Sequence, residues 1–222
     1  MSILVQERVD ALPQWVIEAY QSIGVGDIGH IQHFGFMDTG MRPVWRDIRL
    51  VGPALTVRMP PMDITANRVA IQQARPGDVI VVDRLNSTED ACWGAVAALL
   101  AKEQGAAGLI ADGAVTDTME LTDLRWPVYS RTVSGKVGRV HGEDGVGEVN
   151  VPVSCGGVSV NPGDLIVADD DGVVVIRPHE AEDLLGAVKE RFGSHPDIRQ
   201  WIRDGKELRD YPHARQFFGE LQ

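Results

Sequence analysis

The stretch Pro76-Gly77-Asp78-Val79-Ile80-Val81-Val82-Asp83 decides the fold class. Pro-Gly-Asp is turn chemistry: proline presets φ, glycine tolerates positive φ, and aspartate bonds to nearby backbone. The four aliphatic residues that follow are all β-branched, which favours a strand. A strand with one wet face alternates apolar and polar residues. This one does not, so it predicts a strand covered on both faces, as at the centre of a parallel sheet.

Working outward from this run, Ala66 to Ala74 (ANRVAIQQA) has helical composition, and Gly52 to Met59 before it is rich in strand formers. On the other side, Ser87 and Thr88 are N-cap candidates for a helix from about Glu89 to Gln104. Acidic residues occupy its first turn and Gly105 ends it. Ala107 to Ala111 reads as the next strand, Asp117 to Leu124 as a short helix, and Pro127 to Ser130 as extended chain. Alternation of this kind predicts an α/β protein with a parallel or mixed sheet and helices on its faces.

Toward the N-terminus, Trp15, Val16, Ala19, Tyr20 and Ile23 have helical spacing within Pro13 to Ile23, and Gly24 supplies a stop. Beyond Arg131 the chain breaks into short extended pieces that read as hairpins, including 147–153 and 158–160. Leu165 to Ala168 and Val173 to Ile176 flank Asp169-Asp170-Asp171-Gly172, a tight-turn signal. From Pro178 the chain is helical and polar, divided by Pro196 and Pro212. We therefore expect one α/β domain over 1–177 and a helical tail over 178–222 that packs on the body or on a neighbouring subunit. No internal repeat is present.

With 222 residues, 44% of them hydrophobic, the chain can build a full core without staples. Its two cysteines, Cys92 and Cys155, lie far apart with no ligand spacing, so neither a zinc site nor a disulfide framework is indicated. Glu7, Arg8 and Asp10 interrupt any signal-peptide core, and no run approaches the roughly 18 apolar residues of a membrane span. A cytoplasmic protein with no membrane association is the expectation. The net charge of −11 opposes direct nucleic-acid binding, which depends on clustered Lys and Arg.

Gly24-Val25-Gly26-Asp27-Ile28-Gly29 matches a dinucleotide fingerprint literally, but a helix precedes it where a strand is required, so it reads as a glycine-rich loop without a ligand. The three aspartates at 169–171 lack the oxygen-ligand spacing of a calcium loop and read as a solvated turn. His30 and His33 have no third metal ligand nearby and read as structural or interfacial. No nucleophile setting for a hydrolase triad occurs.

The informative stretch is Trp93-Gly94, near a helix start, followed by Ala111-Asp112-Gly113-Ala114-Val115-Thr116-Asp117. Both lie just beyond apolar strands, where open α/β sheets bind ligands, and the N–H groups of Gly94, Ala95, Val96 and Ala97 suit a carboxylate. Asp117 is a candidate ligand for Mg2+ or Mn2+, since such a hard cation takes one or two protein carboxylates and keeps several waters. From spacing alone, Asp117 equally reads as a helix cap and Asp112 as a turn residue.

These residues resemble the RraA-like family, which includes 4-hydroxy-4-methyl-2-oxoglutarate aldolases, oxaloacetate decarboxylases and a regulator of ribonuclease activity. The match runs through Gly40-Met41-Arg42-Pro43, Gly52 to Val57, Pro76 to Val79, Trp93-Gly94, Asp112 to Val115, Pro127 to Arg131, Pro162-Gly163-Asp164 and Asp169 to Val174. It implies a compact swivelling-type domain assembled as a homotrimer or homohexamer, with sites between subunits. It also implies an Arg-Asp pair for substrate and metal and an acidic residue after the helix-start glycine. Here the Asp is Asp117, but the Arg position is Thr116 and the acidic position Ala95. A glutamate that relatives supply from a neighbouring subunit falls near His195, which is either a replacement acid-base or only a helix-entry residue before Pro196.

The expected function is a divalent-metal-dependent carbon-carbon lyase, of aldolase or decarboxylase type, acting on a small oxo- or hydroxy-carboxylate. Asp117 would carry the metal, and Gly94 to Ala97 with Thr116 would bind substrate. Without the arginine, the family's ordinary substrates should turn over poorly, because a neutral hydroxyl cannot stabilise an enolate as a guanidinium does. The alternative is a non-catalytic regulator that holds a basic partner segment.

Overall fold

The computed structural model describes residues 3–9, 12–193, 198–212 and 214. In chain order the elements are β1 (Leu4–Val5), α1 (Gln14–Tyr20), α2 (Val25–Gly29), β2 (Arg42–Pro43), β3 (Leu50–Arg58), α3 (Ala66–Gln73), β4 (Val79–Asp83), β5 (Ala91–Trp93), α4 (Ala95–Glu103), β6 (Gly108–Val115), α5 (Thr118–Leu124) and β7 (Val128–Val133). There follow β8 (Glu148–Val149), β9 (Val153–Cys155), β10 (Val158–Val160), β11 (Leu165–Asp169), β12 (Gly172–Ile176), α6 (Ala181–Gly193) and α7 (Ile198–Arg203).

The β-branched run of β4 sits between β3 and β6, parallel to both. Val79 through Val82 are each 0% exposed, and successive side chains divide between two cores. Ile80 and Val82 pack with Ala66, Ala70, Ala98, Ala101 and Leu121 from α3, α4 and α5. Val79 and Val81 pack on the opposite face with Val153, Cys155, Ile166 and Ala168. The strand order β3-β4-β6-β7 steps in one direction, and right-handed crossovers that do so place their helices on one face.

A second layer grows from β3, whose free edge takes two antiparallel partners. Leu50–Pro53 pairs with β11, and Val57–Arg58 pairs with β8. The β11–β12 hairpin then offers Val167, Val174 and Ile176 to a third core, closed by Val16 and Tyr20 of α1, Ile28 of α2, and Leu184, Leu185 and Val188 of α6. Tyr20 donates a hydrogen bond to the Ala181 carbonyl at 2.8 Å, fixing α1 to α6. The molecule is thus a compact α/β domain with a mixed sheet, helices on its faces and a helical C-terminal segment.

Four sequence expectations change, the simplest being that for Asp112, which read as a turn residue but lies within β6, paired with Asp83 of β4. The helix expected from Glu89 starts at Ala95, and Ala91–Trp93 forms β5 instead. The reason lies in β6, which runs to Val115 while β4 pairs with it only as far as Asp112; β5 supplies hydrogen-bond partners for the overhang. Ser87, expected as a cap, donates to Asp90 Oδ1 at 3.1 Å within the loop. Among the extended pieces beyond Arg131, β9 pairs with β10 and β11 with β12 as hairpins, but β8 pairs with β1 and β3 instead. The short helix begins at Thr118, because Asp117 has left-handed backbone angles (φ 56°, ψ 39°).

The loop between β4 and β5 is held from inside by Arg84, which is 0% exposed. Its guanidinium donates to the carbonyls of Pro60 at 2.7 Å and Asp63 at 3.0 Å and pairs with buried Asp90. Removing Asp90 strands a buried charge. Asp90→Ala is therefore expected to destabilise the fold by about 3–5 kcal/mol, read as a lowered midpoint in urea unfolding.

Candidate functional site

The C-terminal end of β6 and the N-terminus of α4 meet at Asp117 and Gly94. The left-handed turn at Asp117, a conformation that Asp tolerates better than most residues, swings its carboxylate back across the sheet. There Oδ2 accepts the Ala95 N–H at 3.0 Å. Asp117 thus caps a helix, as one reading of the sequence had it, but the side chain caps α4 rather than the helix it precedes. Only glycine at 94 permits this approach: a Cβ there would overlap Asp117 Oδ2 and press on Thr116 Cγ2. Thr116 donates its N–H to the Trp93 carbonyl at 2.9 Å, and its hydroxyl lies 3.4 Å from Asp117 Oδ1.

Of the four amides expected to face a carboxylate, Ala95 is therefore already engaged. Val96 and Ala97 lie in the first helical turn, where N–H groups have no acceptor four residues back. Neither N–H makes a hydrogen bond among the described residues, whereas the next amide, Ala98, already bonds back to the Gly94 carbonyl at 3.0 Å. A cleft of 340 Å³ opens here, lined by Gly94, Val96, Ala97, Thr116 and Asp117 together with Asn67 and Arg68 of α3 and apolar side chains including Ile64 and Val140. Ala95 is buried behind it and does not line it. Cys92 does line it, but burial pushes its thiol up to about 12, so it is no thiolate nucleophile near neutrality.

The family model for RraA-like proteins, described as Aldolase/RraA, matches residues 16–175. The chain belongs to the RraA-like family. A protein of Halalkalibacterium halodurans provisionally named 4-hydroxy-4-methyl-2-oxoglutarate aldolase is 38% identical over 151 residues, covering 68% of this chain and 70% of its own. The RNA-processing inhibitor RraA from Thermus thermophilis is 28% identical with a TM-score of 0.62, covering 70% of this chain and 93% of that one. An uncharacterized protein from Pseudomonas syringae pv. tomato shares the fold at a TM-score of 0.77 and 22% identity, covering 93% of this chain and 100% of its own.

The fold of this RraA-like chain places the remaining candidates elsewhere. His195 lies outside the described residues. Among the described residues no group of three or more His, Cys, Asp and Glu side chains is placed to hold a metal ion. The ring of His30 lies tilted against that of Phe192, their centroids 5.7 Å apart. The glycine-rich segment forms α2, whose N-terminal Val25 N–H is taken by Asp169 Oδ2 at 2.8 Å, where a phosphate would have to sit. The aspartate turn is therefore partly structural, since Asp170 also accepts the Asp47 N–H at 3.0 Å. No helix of the described residues is long and apolar enough to cross a membrane.

A larger cavity of 480 Å³ is lined by Asp38, Asp83, Asp112, Arg131 and Ser154. Its cation is already engaged: Arg131 pairs with Asp112 and with Asp38, the latter at 2.7 Å, while Asp83 pairs with Arg58 outside the lining. That pairing holds the Arg131 guanidinium above, and the Asp38 carboxyl below, their ordinary ranges. Asp112 Oδ2 also accepts the Gly156 N–H at 2.7 Å, tying β6 to the β9–β10 hairpin. Size alone therefore does not select the site; unpaired polar groups do.

Asn67, Arg68 and the Trp93 indole were not singled out from sequence. For Asn67 a signal existed: it lies three and four residues before Ala70 and Ile71, on the buried stripe of α3, where a polar side chain is out of pattern. Gly94→Ala is expected to drive Asp117 off the Ala95 N–H and destabilise the protein by about 1–3 kcal/mol in denaturant titration. Asp117→Asn keeps an acceptor there and is expected to cost less than about 1 kcal/mol in the same titration.

Proposed function

We propose that this protein is a divalent-metal-dependent carbon-carbon lyase, of aldolase or decarboxylase type, acting on a small oxo- or hydroxy-carboxylate in the Asp117 cleft. The observation that carries the reading is the placement of one carboxylate, Asp117, beside the free Val96 and Ala97 amides in a cleft of ligand size. Membership in a family that contains aldolases supports it.

The donor set suits a hard cation. One carboxylate with water around it is what Mg2+ or Mn2+ accepts, whereas a zinc site would need three or four protein ligands. Asp117 Oδ2 is committed to Ala95, so Oδ1 is the oxygen that would hold the ion. When bound, such an ion polarises the substrate's keto oxygen. The Val96 and Ala97 N–H groups would hold the substrate carboxylate at the positive end of α4, and the rigid αL turn would keep Asp117 at a constant distance from it. Thr116 offers a neutral hydroxyl beside Oδ1.

The cleft lining carries exposed Val96, Leu100 and Val137, an apolar surface suited to a second copy of the chain. A homotrimer or homohexamer with the cleft near its interface follows, checked by light scattering on the eluted protein. A second reading, a regulator that binds a basic segment, is favoured by the neutral Thr116, by the net charge of −11 and by likeness to an RNA-processing inhibitor.

Calorimetric titration with Mg2+ and oxalate, a pyruvate-enolate analogue, tests the lyase reading. Metal-dependent oxalate binding is expected in the native protein and its loss in Asp117→Ala. Binding that ignores Mg2+ or the substitution would remove the lyase reading and leave the regulator. Thr116→Arg is expected to raise turnover of oxaloacetate about 10-fold or more, followed by pyruvate release, because it adds a cation where negative charge develops.

A further inference from the structure

Three side chains of the cleft have chemistry that the fold does not use. Asn67 is 5% exposed, and its amide nitrogen must face the Cys92 carbonyl, which can only accept; Oδ1 is left buried without a donor. Trp93 is 2% exposed, and its indole N–H is buried without an acceptor. Most buried polar atoms in folded proteins are paired, and among the unpaired ones of the described residues this acceptor and this donor belong to two residues that line one cleft, which points to a ligand there. Neither atom is open to bulk water, and the Asn67 amide is held on the Cys92 carbonyl, so a ligand meets them through a water trapped between.

Arg68 adds the charge. It lines the same cleft, is exposed, and makes no side-chain hydrogen bond or ion pair among the described residues. It occupies the first turn of α3, where the helix dipole disfavours a cation, so helix stability does not account for it. The cleft measures about 7 Å across if equidimensional, so a small acid held near Asp117 lies within reach of a long side chain on the α3 wall. Thr116 on the other wall cannot supply positive charge.

We infer that Arg68 is the carboxylate-binding cation of this cleft, and that the acid it takes also bears a hydroxyl and a carbonyl oxygen matched to Asn67 and Trp93. The hydroxyl donates to a trapped water that donates to Asn67 Oδ1, and the carbonyl oxygen accepts from one that accepts from Trp93 Nε1. Short apolar walls of Ile64, Ile71, Leu100 and Val137 limit the rest of the molecule to a few carbons. This deepens the lyase reading and rests on it.

The experiment is calorimetric titration of the full chain with Mg2+ and oxalate in Arg68→Ala, Arg68→Lys, Arg75→Ala and Asp117→Ala. Arg68→Ala is expected to weaken oxalate binding roughly 10- to 100-fold, the range for a lost hydrogen bond to a charged group. Arg68→Lys should recover part of that loss, since it keeps the charge but not the fork. Arg75→Ala removes a positive charge outside the cleft and should leave binding unchanged, and thermal melting of Arg68→Ala should match the native protein. Native-like oxalate binding in Arg68→Ala, with binding lost in Asp117→Ala, overturns the role of Arg68 and leaves the lyase reading standing. An equal loss in Arg75→Ala reduces the effect to long-range charge and also overturns it. Undiminished binding in Asp117→Ala removes the lyase reading itself, and this inference with it.

Discussion

Covering the central strands on both faces is the constraint from which the architecture follows. Four parallel strands of aliphatic residues cannot leave either face wet, so one face takes α3, α4 and α5 and the other takes the β9–β12 layer. Because β11 and β12 are themselves apolar on their far side, a further cover of α1, α2 and α6 is required. The fork in β3 makes this layering possible, since one strand lends its two ends to different partners.

The same constraint makes the site. β6 outruns β4, the overhang recruits β5, and the chain leaves β5 into α4 at Gly94, directly against the turn that ends β6. Asp117 then has two claims on it. Capping Ala95 engages Oδ2, and Oδ1 has only the Thr116 hydroxyl beside it. Under the proposed lyase reading stability and function would not compete at this residue, because each would use a different oxygen of the same carboxylate.

Charge pairing separates the Asp117 cleft from the larger Asp112 cavity. In the larger one Arg131 closes an ion-pair network with Asp112 and Asp38, so its cation is already spent. In the smaller one, Arg68, Asn67 Oδ1 and Trp93 Nε1 remain without partners. A binding site is better recognised by unspent polar groups than by volume, since leaving such groups buried and unpaired costs free energy that a ligand can return.

The residue pattern by itself determined the α/β class, the central strand at 79–83, the α3 helix and the β11–β12 turn, because these depend on local periodicity and turn chemistry, while the family followed from resemblance to its ordered motifs. It also marked Gly94, Thr116 and Asp117 as one site, through their positions after apolar strands. It did not show that Glu89 to Trp93 leaves the helix, because a strand that completes a neighbour's overhang is decided by a partner remote in the chain. Nor did it show that Asp117 caps α4 rather than α5, that Ala95 N–H is already spent, or that α3 brings Asn67 and Arg68 to the same cleft. Those facts arise only when helices from separate crossovers pack side by side, and no local pattern records which of their faces will meet.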